Sequence, residues 1–236
     1  MKKNILISLV LFALASCDNV EKISLTKLEG SQDYSEAKLS LNDFNENGNN
    51  EFTFKVENYE LGIQTDNKFK YRLANSSKGQ HIHFIVNNGP YSAHYTKNFQ
   101  KNLNDGNNVI LAFLSRSYHE SVKNPEAYIF TQIGEGEKID MENEYLFYSR
   151  PKGSYTGKDS ERLLLDFYLV NTSLSSDGNK VRVTIQDSEF IIDEWAPYII
   201  QGLPKGEISI KLELLDPYGE LIENPFNPSI RKVTLK

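Results

Sequence analysis

Gly202-Leu-Pro-Lys-Gly206-Glu-Ile208-Ser-Ile210-Lys-Leu212-Glu-Leu214-Leu-Asp216 holds the pattern on which the fold turns. Its apolar residues Ile208, Ile210, Leu212 and Leu214 recur at every second position, which in an extended chain puts all four on one face. Ser209, Lys211 and Glu213 fall on the opposite face. The stretch therefore predicts a half-buried antiparallel strand, entered through a tight turn at Gly206. A further run, Arg231 to Leu235, predicts a closing strand in the same sheet.

The pattern recurs about 100 residues earlier in the chain. Leu103-Asn-Asp-Gly106 with Ile110, Ala112 and Leu114 aligns with Leu203-Pro-Lys-Gly206 with Ile210, Leu212 and Leu214. Phe54-Lys-Val56-Glu-Asn58-Tyr-Glu-Leu61 aligns with Phe167-Tyr-Leu169-Val-Asn171-Thr-Ser-Leu174. Gly79-Gln-His81-Ile82-His83-Phe84 aligns with Gly178-Asn-Lys180-Val181-Arg182-Val183, and Asn124-Pro125 with Asn224-Pro225. The order holds once a longer loop at about Gly62 to Lys78 is allowed for. Four blocks in one order, with matching Gly and Asn-Pro punctuation, define an internal repeat. Each copy contains several short alternating runs divided by Gly, Asn, Asp and Pro, the pattern of an all-β sandwich. The 13 Tyr and 13 Phe residues also lean toward sheet. The Gly202–Asp216 stretch resembles the late hairpin strands of bacterial immunoglobulin-like domains. The expected fold is all-β, two tandem immunoglobulin-like antiparallel β-sandwiches over residues 37–140 and 141–236.

The N-terminus says where the protein resides. Met1-Lys2-Lys3 precedes an apolar run from Ile5 to Leu14, too short to span a bilayer, and small residues follow it. Leu14-Ala15-Ser16-Cys17 is similar to the lipobox of bacterial lipoproteins. That resemblance implies removal of residues 1–16 and attachment of acyl chains to Cys17, the only cysteine, as a membrane anchor. Residues 17–36 are polar and without clear periodicity, and read as a tether. Loss of Lys2 and Lys3 with the signal moves the formal net charge from −6 to −8, which argues against nucleic acid as a partner. With Cys17 modified, no thiol is left for a disulfide, a nucleophile or a soft metal site. The expected location is the outer membrane of a bacterial envelope. Asp18, directly after Cys17, resembles the inner-membrane retention signal of some Gram-negative bacteria, and in other lineages early acidic residues resemble a surface-export signal.

All four histidines, His81, His83, His94 and His119, fall in the first copy. His81 and His83 share one face of a strand, and their aligned positions hold Lys180 and Arg182. They are therefore expected on the solvent side, opposite Ile82 and Phe84. His94, just past the Asn87-Asn88-Gly89-Pro90 turn, is the expected third ligand of a metal site, and His119 a possible fourth. A set of imidazoles without thiolate suits zinc or copper(II) better than calcium or magnesium. Residues 79–133 also resemble uncharacterised exported bacterial domains with clustered histidines on a sandwich.

Two further surfaces stand beside it. Ser115-Arg116-Ser117-Tyr118-His119 resembles the Ser-Arg-x-His element of forkhead-associated domains, which implies that Ser115 and Arg116 hold a phosphate, although one extra residue precedes the histidine. Tyr95 and Tyr118 could offer an aromatic platform to a glycan or peptide, whereas Tyr91 is read as a core residue matching Phe190. Ser149-Arg150-Pro151-Lys152-Gly153 reads as a solvated basic connection between the copies. The chain has no Gly-x-Ser-x-Gly elbow, phosphate-cradling glycine loop or His-Glu-x-x-His element. The expected function is a lipid-anchored, non-enzymatic binding module for an envelope or extracellular protein or glycan. The first copy would face the ligand and the second would serve as a stalk. The alternatives are metal binding through the histidines and, less favoured, recognition of a phosphopeptide or glycan.

Overall fold

A computed structural model of the protein describes residues 22–46, 50–66 and 70–236. The signal sequence and Cys17 lie outside the described residues. The described chain opens with strand β1 (Ser24–Lys27). Seven strands follow: β2 (Lys38–Asn45), β3 (Glu51–Glu57), β4 (His81–Val86), β5 (Ser92–His94), β6 (Asn98–Gln100), β7 (Asn108–Ser115) and β8 (Tyr128–Ile133). They form two antiparallel sheets, ordered β2-β3-β6 and β5-β4-β7-β8. The second half contributes β9 (Tyr145–Arg150), β10 (Gly153–Tyr155), β11 (Leu163–Val170), β12 (Lys180–Ile185), β13 (Ser188–Ile192), β14 (Tyr198–Gln201), β15 (Gly206–Leu215) and β16 (Ser229–Leu235). Its sheets run β1-β14-β11-β9 and β10-β16-β15-β12-β13.

Apart from β1 and β10, which are added at edges, the two halves match strand for strand. Their registers agree as well: His81 pairs with Ser115 across β4 and β7, and Lys180 with Leu215 across β12 and β15. The turns repeat the same devices. Asn58 and Asn171 both adopt left-handed φ angles, 54° and 57°, and their side-chain amides donate to carbonyls just before the first strand of each copy, Glu36 in one and Met141 and Asn143 in the other. Asn124 and Asn224 each accept the N–H two residues on at 2.9 Å and donate from Nδ2 to the same region.

The segment expected to be a tether is not free along its length. Ser24–Lys27 pairs antiparallel with β14, from Ser24 opposite Gln201 to Lys27 opposite Tyr198. Ile23 and Leu25 pack on the second core, so the segment fills an edge whose backbone groups would otherwise lack partners. Gly202 makes room for this approach, since a β-carbon there would lie 2.5 Å from the Lys22 carbonyl oxygen.

The four sheets stack as four layers with three apolar cores between them. Phe52, Phe54, Ile82, Phe84, Ile110 and Leu114 fill the first sandwich. Leu165, Phe167, Val183, Ile185, Ile210 and Leu212 fill the second. A third core joins the inner sheets of the two sandwiches through Ile85, Leu111 and Phe113 on one side and Phe147, Tyr168 and Val170 on the other. Sheet β5-β4-β7-β8 thus has both faces covered, whereas its counterpart β13-β12-β15-β16 keeps one face toward solvent. The long Gly62–Lys78 loop flanks the seam, placing Tyr71 and Leu73 in a cluster with Leu28, Tyr118, Leu164 and Ile199.

Polar links reinforce the seam. Asp166, fully buried on β11, accepts from Lys123 Nζ at 2.7 Å and Ser121 Oγ at 2.9 Å in the first sandwich. Asn88, in the β4–β5 turn, accepts the Tyr148 N–H at 3.0 Å and donates to Ser229 Oγ at 3.1 Å.

Candidate functional site

His81 and His83 project from β4 into the seam, on the same face as Ile85. Both are 0% exposed, which corrects the expectation that they face solvent. The comparison with Lys180 and Arg182 misleads because β12 lies in an outer sheet and β4 in an inner one. The same asymmetry explains the basic Ser149–Gly153 stretch. Ser149 and Arg150 end β9 and are buried against the first sandwich instead of forming a solvated connection.

The turn after β7 brings in a third imidazole. Its counterpart after β15 has the same backbone hydrogen bonds: Arg116 N–H donates to Glu120 O and His119 N–H to Arg116 O, as Asp216 does to Glu220 and Gly219 to Asp216. Gly219 has φ 86°, the region glycine reaches without strain; His119 occupies it with φ 71°. From there His119 Nδ1 lies 3.1 Å from His81 Nε2, which in turn is 2.9 Å from His83 Nε2. The three ring nitrogens lie within 4.8 Å of one another. Tyr91 stacks on His83 with ring centres 3.5 Å apart, and its hydroxyl is 3.3 Å from His119 Nδ1.

The outer nitrogens are held from behind. The Gly79 carbonyl, which can only accept, takes the His81 Nδ1 hydrogen at 2.8 Å, so in the neutral ring Nε2 presents its lone pair to the cluster. His83 Nδ1 meets Ser149 Oγ of the second sandwich at 3.2 Å. Burial is the main force on the charge states, since it penalises the imidazolium. It takes His81 down to about 4 and holds His83 and His119 well below the ordinary histidine value, with Arg150 and Lys152 adding to the effect. Burial and the neighbouring Arg150 also lower Lys152, whose ammonium sits 3.7 Å from the Tyr91 ring centre, to about 8. Three neutral imidazoles converging on one point are a donor set for a borderline metal ion.

His94 does not join them. It pairs across from Ile82, so its ring belongs to the opposite face, stacked on Phe99 at 3.4 Å with Nε2 2.8 Å from Ser92 Oγ. The phosphate-binding reading of Ser115 and Arg116 is also corrected. Ser115 is buried and donates to backbone carbonyls. The Arg116 guanidinium is committed to Glu120 at 3.1 Å, to the Ser121 carbonyl at 2.8 Å and to the Gln32 carbonyl. Tyr118 is buried against Tyr71 at 5.3 Å and offers no platform. Tyr95 is half-buried, its ring 5.0 Å from His81 and its hydroxyl 2.8 Å from Ser76 Oγ, and so shields the cluster. Tyr91 is a core residue, but of the seam, so it is not the equivalent of the half-exposed Phe190. Sequence reasoning missed Ser149, Tyr91 and Lys152 as neighbours of the histidines. For Ser149 and Lys152 the available signal was the unbroken run Tyr145-Leu-Phe-Tyr148 that precedes them, which marks a strand covered on both faces.

Fold and site together define a tandem β-sandwich protein with a buried tri-imidazole cluster between its halves. No family model and no curated protein matches the chain. Among solved structures it is similar to the fibronectin(III)-like modules of CbhA from Clostridium thermocellum, with 10% identity, a TM-score of 0.31, and coverage of 91% of this chain and 94% of that one. It is also similar to the central fibronectin-III array of RIM-binding protein, with 9% identity, a TM-score of 0.28 and coverage of 84% and 68%. A third is SGBP-B of the Bacteroides ovatus mixed-linkage glucan utilization locus, solved with a mixed-linkage heptasaccharide, with 9% identity, a TM-score of 0.22 and coverage of 79% and 40%.

Proposed function

We propose that this protein is a lipid-anchored, non-enzymatic interaction module of a bacterial envelope. The observation that supports the reading is the use each sandwich makes of its inner sheet. Both are spent on the shared core, so the chain offers two outer sheets fixed relative to each other. The anchor would be fixed as well. Ile23, packed on the second core, follows Cys17 by six positions, a reach of about 20 Å at full extension. The second sandwich would thus sit beside the bilayer. It also carries Ile191, Tyr218, Leu221 and Ile230, four of the five exposed large apolar residues among those described. With the histidine face of the first sandwich covered, the contact surface moves to the outer face of β13-β12-β15-β16, where Ile191 and Ile230 flank the Arg182–Glu213–Lys211 charge row.

The test combines the anchor with that face. The full chain should partition with membranes and the Cys17→Ala variant should not. A photo-crosslinker at position 191 should capture a partner in cells, and one at position 55 on the opposite outer sheet should not. Membrane retention of Cys17→Ala, or capture from position 55 alone, would contradict the reading.

A further inference from the structure

We infer that His81 Nε2, His83 Nε2 and His119 Nδ1 form a buried transition-metal site for zinc or copper, closed by the second sandwich. The sandwich fold itself requires histidine at none of these places. The second copy builds the same strands and turn with Lys180, Arg182 and Gly219. At the third position a β-carbon is carried into a strained backbone region, and what it gains is an imidazole nitrogen directed at the other two.

The proton count points the same way. With Nδ1 bonded to the Gly79 carbonyl, His81 Nε2 has one lone pair and two nitrogen neighbours, at 2.9 and 3.1 Å. One neighbour can donate a hydrogen to it well. The other then either shares the same lone pair or opposes it with its own. A metal ion at the centre turns all three lone pairs into bonds. Tetrahedral zinc with N–Zn bonds of about 2.0–2.1 Å sets its nitrogens about 3.3 Å apart, a few tenths wider than the two separations from His81 Nε2. An ion would draw His83 Nε2 and His119 Nδ1, which lie within 4.8 Å of each other, to that same spacing. The Tyr91 hydroxyl, 3.3 Å from His119 Nδ1, or a water would complete the set. Three neutral nitrogens without carboxylate disfavour calcium and magnesium. The bonds from His81 to Gly79 and from His83 to Ser149 are the outer support such ligands need. His119 is the least buried of the three.

The deciding variant is His119→Gly, which copies Gly219 and relieves the backbone while removing one ligand. His119→Asn, which also tolerates that backbone region, guards against a packing artefact. The full chain, stripped by chelator, is titrated with zinc and in a separate arm with copper, and bound metal is counted after dialysis. The wild type and His94→Ala should each hold one equivalent of one of the two ions. His119→Gly and His119→Asn should keep the wild-type circular dichroism and lose affinity by about 100-fold or more. Failure of the wild type to retain either ion would overturn the assignment, as would unchanged affinity in folded His119 variants or loss of binding in folded His94→Ala.

Discussion

Asp166 shows how much of the seam rests on single residues. It is a fully buried carboxylate whose partners, Lys123 and Ser121, come from the other sandwich. Removing one member of a buried ion pair strands the other. Asp166→Ala should therefore lower stability by about 3 kcal/mol in urea unfolding, the lower end of such losses because Lys123 keeps some solvent access. The paired asparagines Asn58 and Asn171 make a different prediction. Each combines a left-handed backbone with an amide bond to the start of its sandwich, so Asn→Ala at either site should cost about 1–2 kcal/mol by thermal melting. Asn58 and Asn171 were legible as matching positions of the repeat. The environment of the histidines was not. Lys180 and Arg182 mark the solvent side of their own strand, but two copies of one sandwich need not have the same neighbour on that side.

At the level of strands, the missing signal lies in β7 and β15. Val109, Leu111 and Phe113 occupy the seam face of β7, and the matching positions of β15 hold Ser209, Lys211 and Glu213. Alternation in β15 reveals a half-exposed strand; the continuous apolar runs of β7 and β9, and that of β11 broken only by Asp166, reveal strands buried on both faces. Strand content, turn positions and the repeat itself could be read from period-2 patterning. Which sheets face each other could not, because patterning reports whether a face is covered and not by what. Exchanging the two residue types tests this directly. Leu111→Lys buries an unpaired ammonium and should cost more than 3 kcal/mol in equilibrium unfolding or abolish soluble expression. Lys211→Leu, on the solvent face, should shift stability by no more than about 1 kcal/mol.

For the molecule as a whole, the third core makes the two sandwiches one structural unit. A first sandwich alone would expose Ile85, Leu111 and Phe113, and burying each such side chain contributes about 1.5–3 kcal/mol. Each half is therefore expected to depend on the other for its stability, and the histidine cluster is defined only while they are joined. Trp195, whose indole N–H donates to the Phe167 carbonyl at 3.0 Å and whose ring meets Tyr168 at 5.0 Å, reports on the second half from beside the seam. The most direct measurement is hydrogen exchange of the full chain by mass spectrometry across a urea series, with Trp195 fluorescence followed in parallel. The four-layer arrangement predicts that the strands of both sandwiches lose protection at one midpoint, that fluorescence changes there too, and that Phe113→Ala lowers the common midpoint. Two separate midpoints, with Phe113→Ala moving only the first, would contradict it.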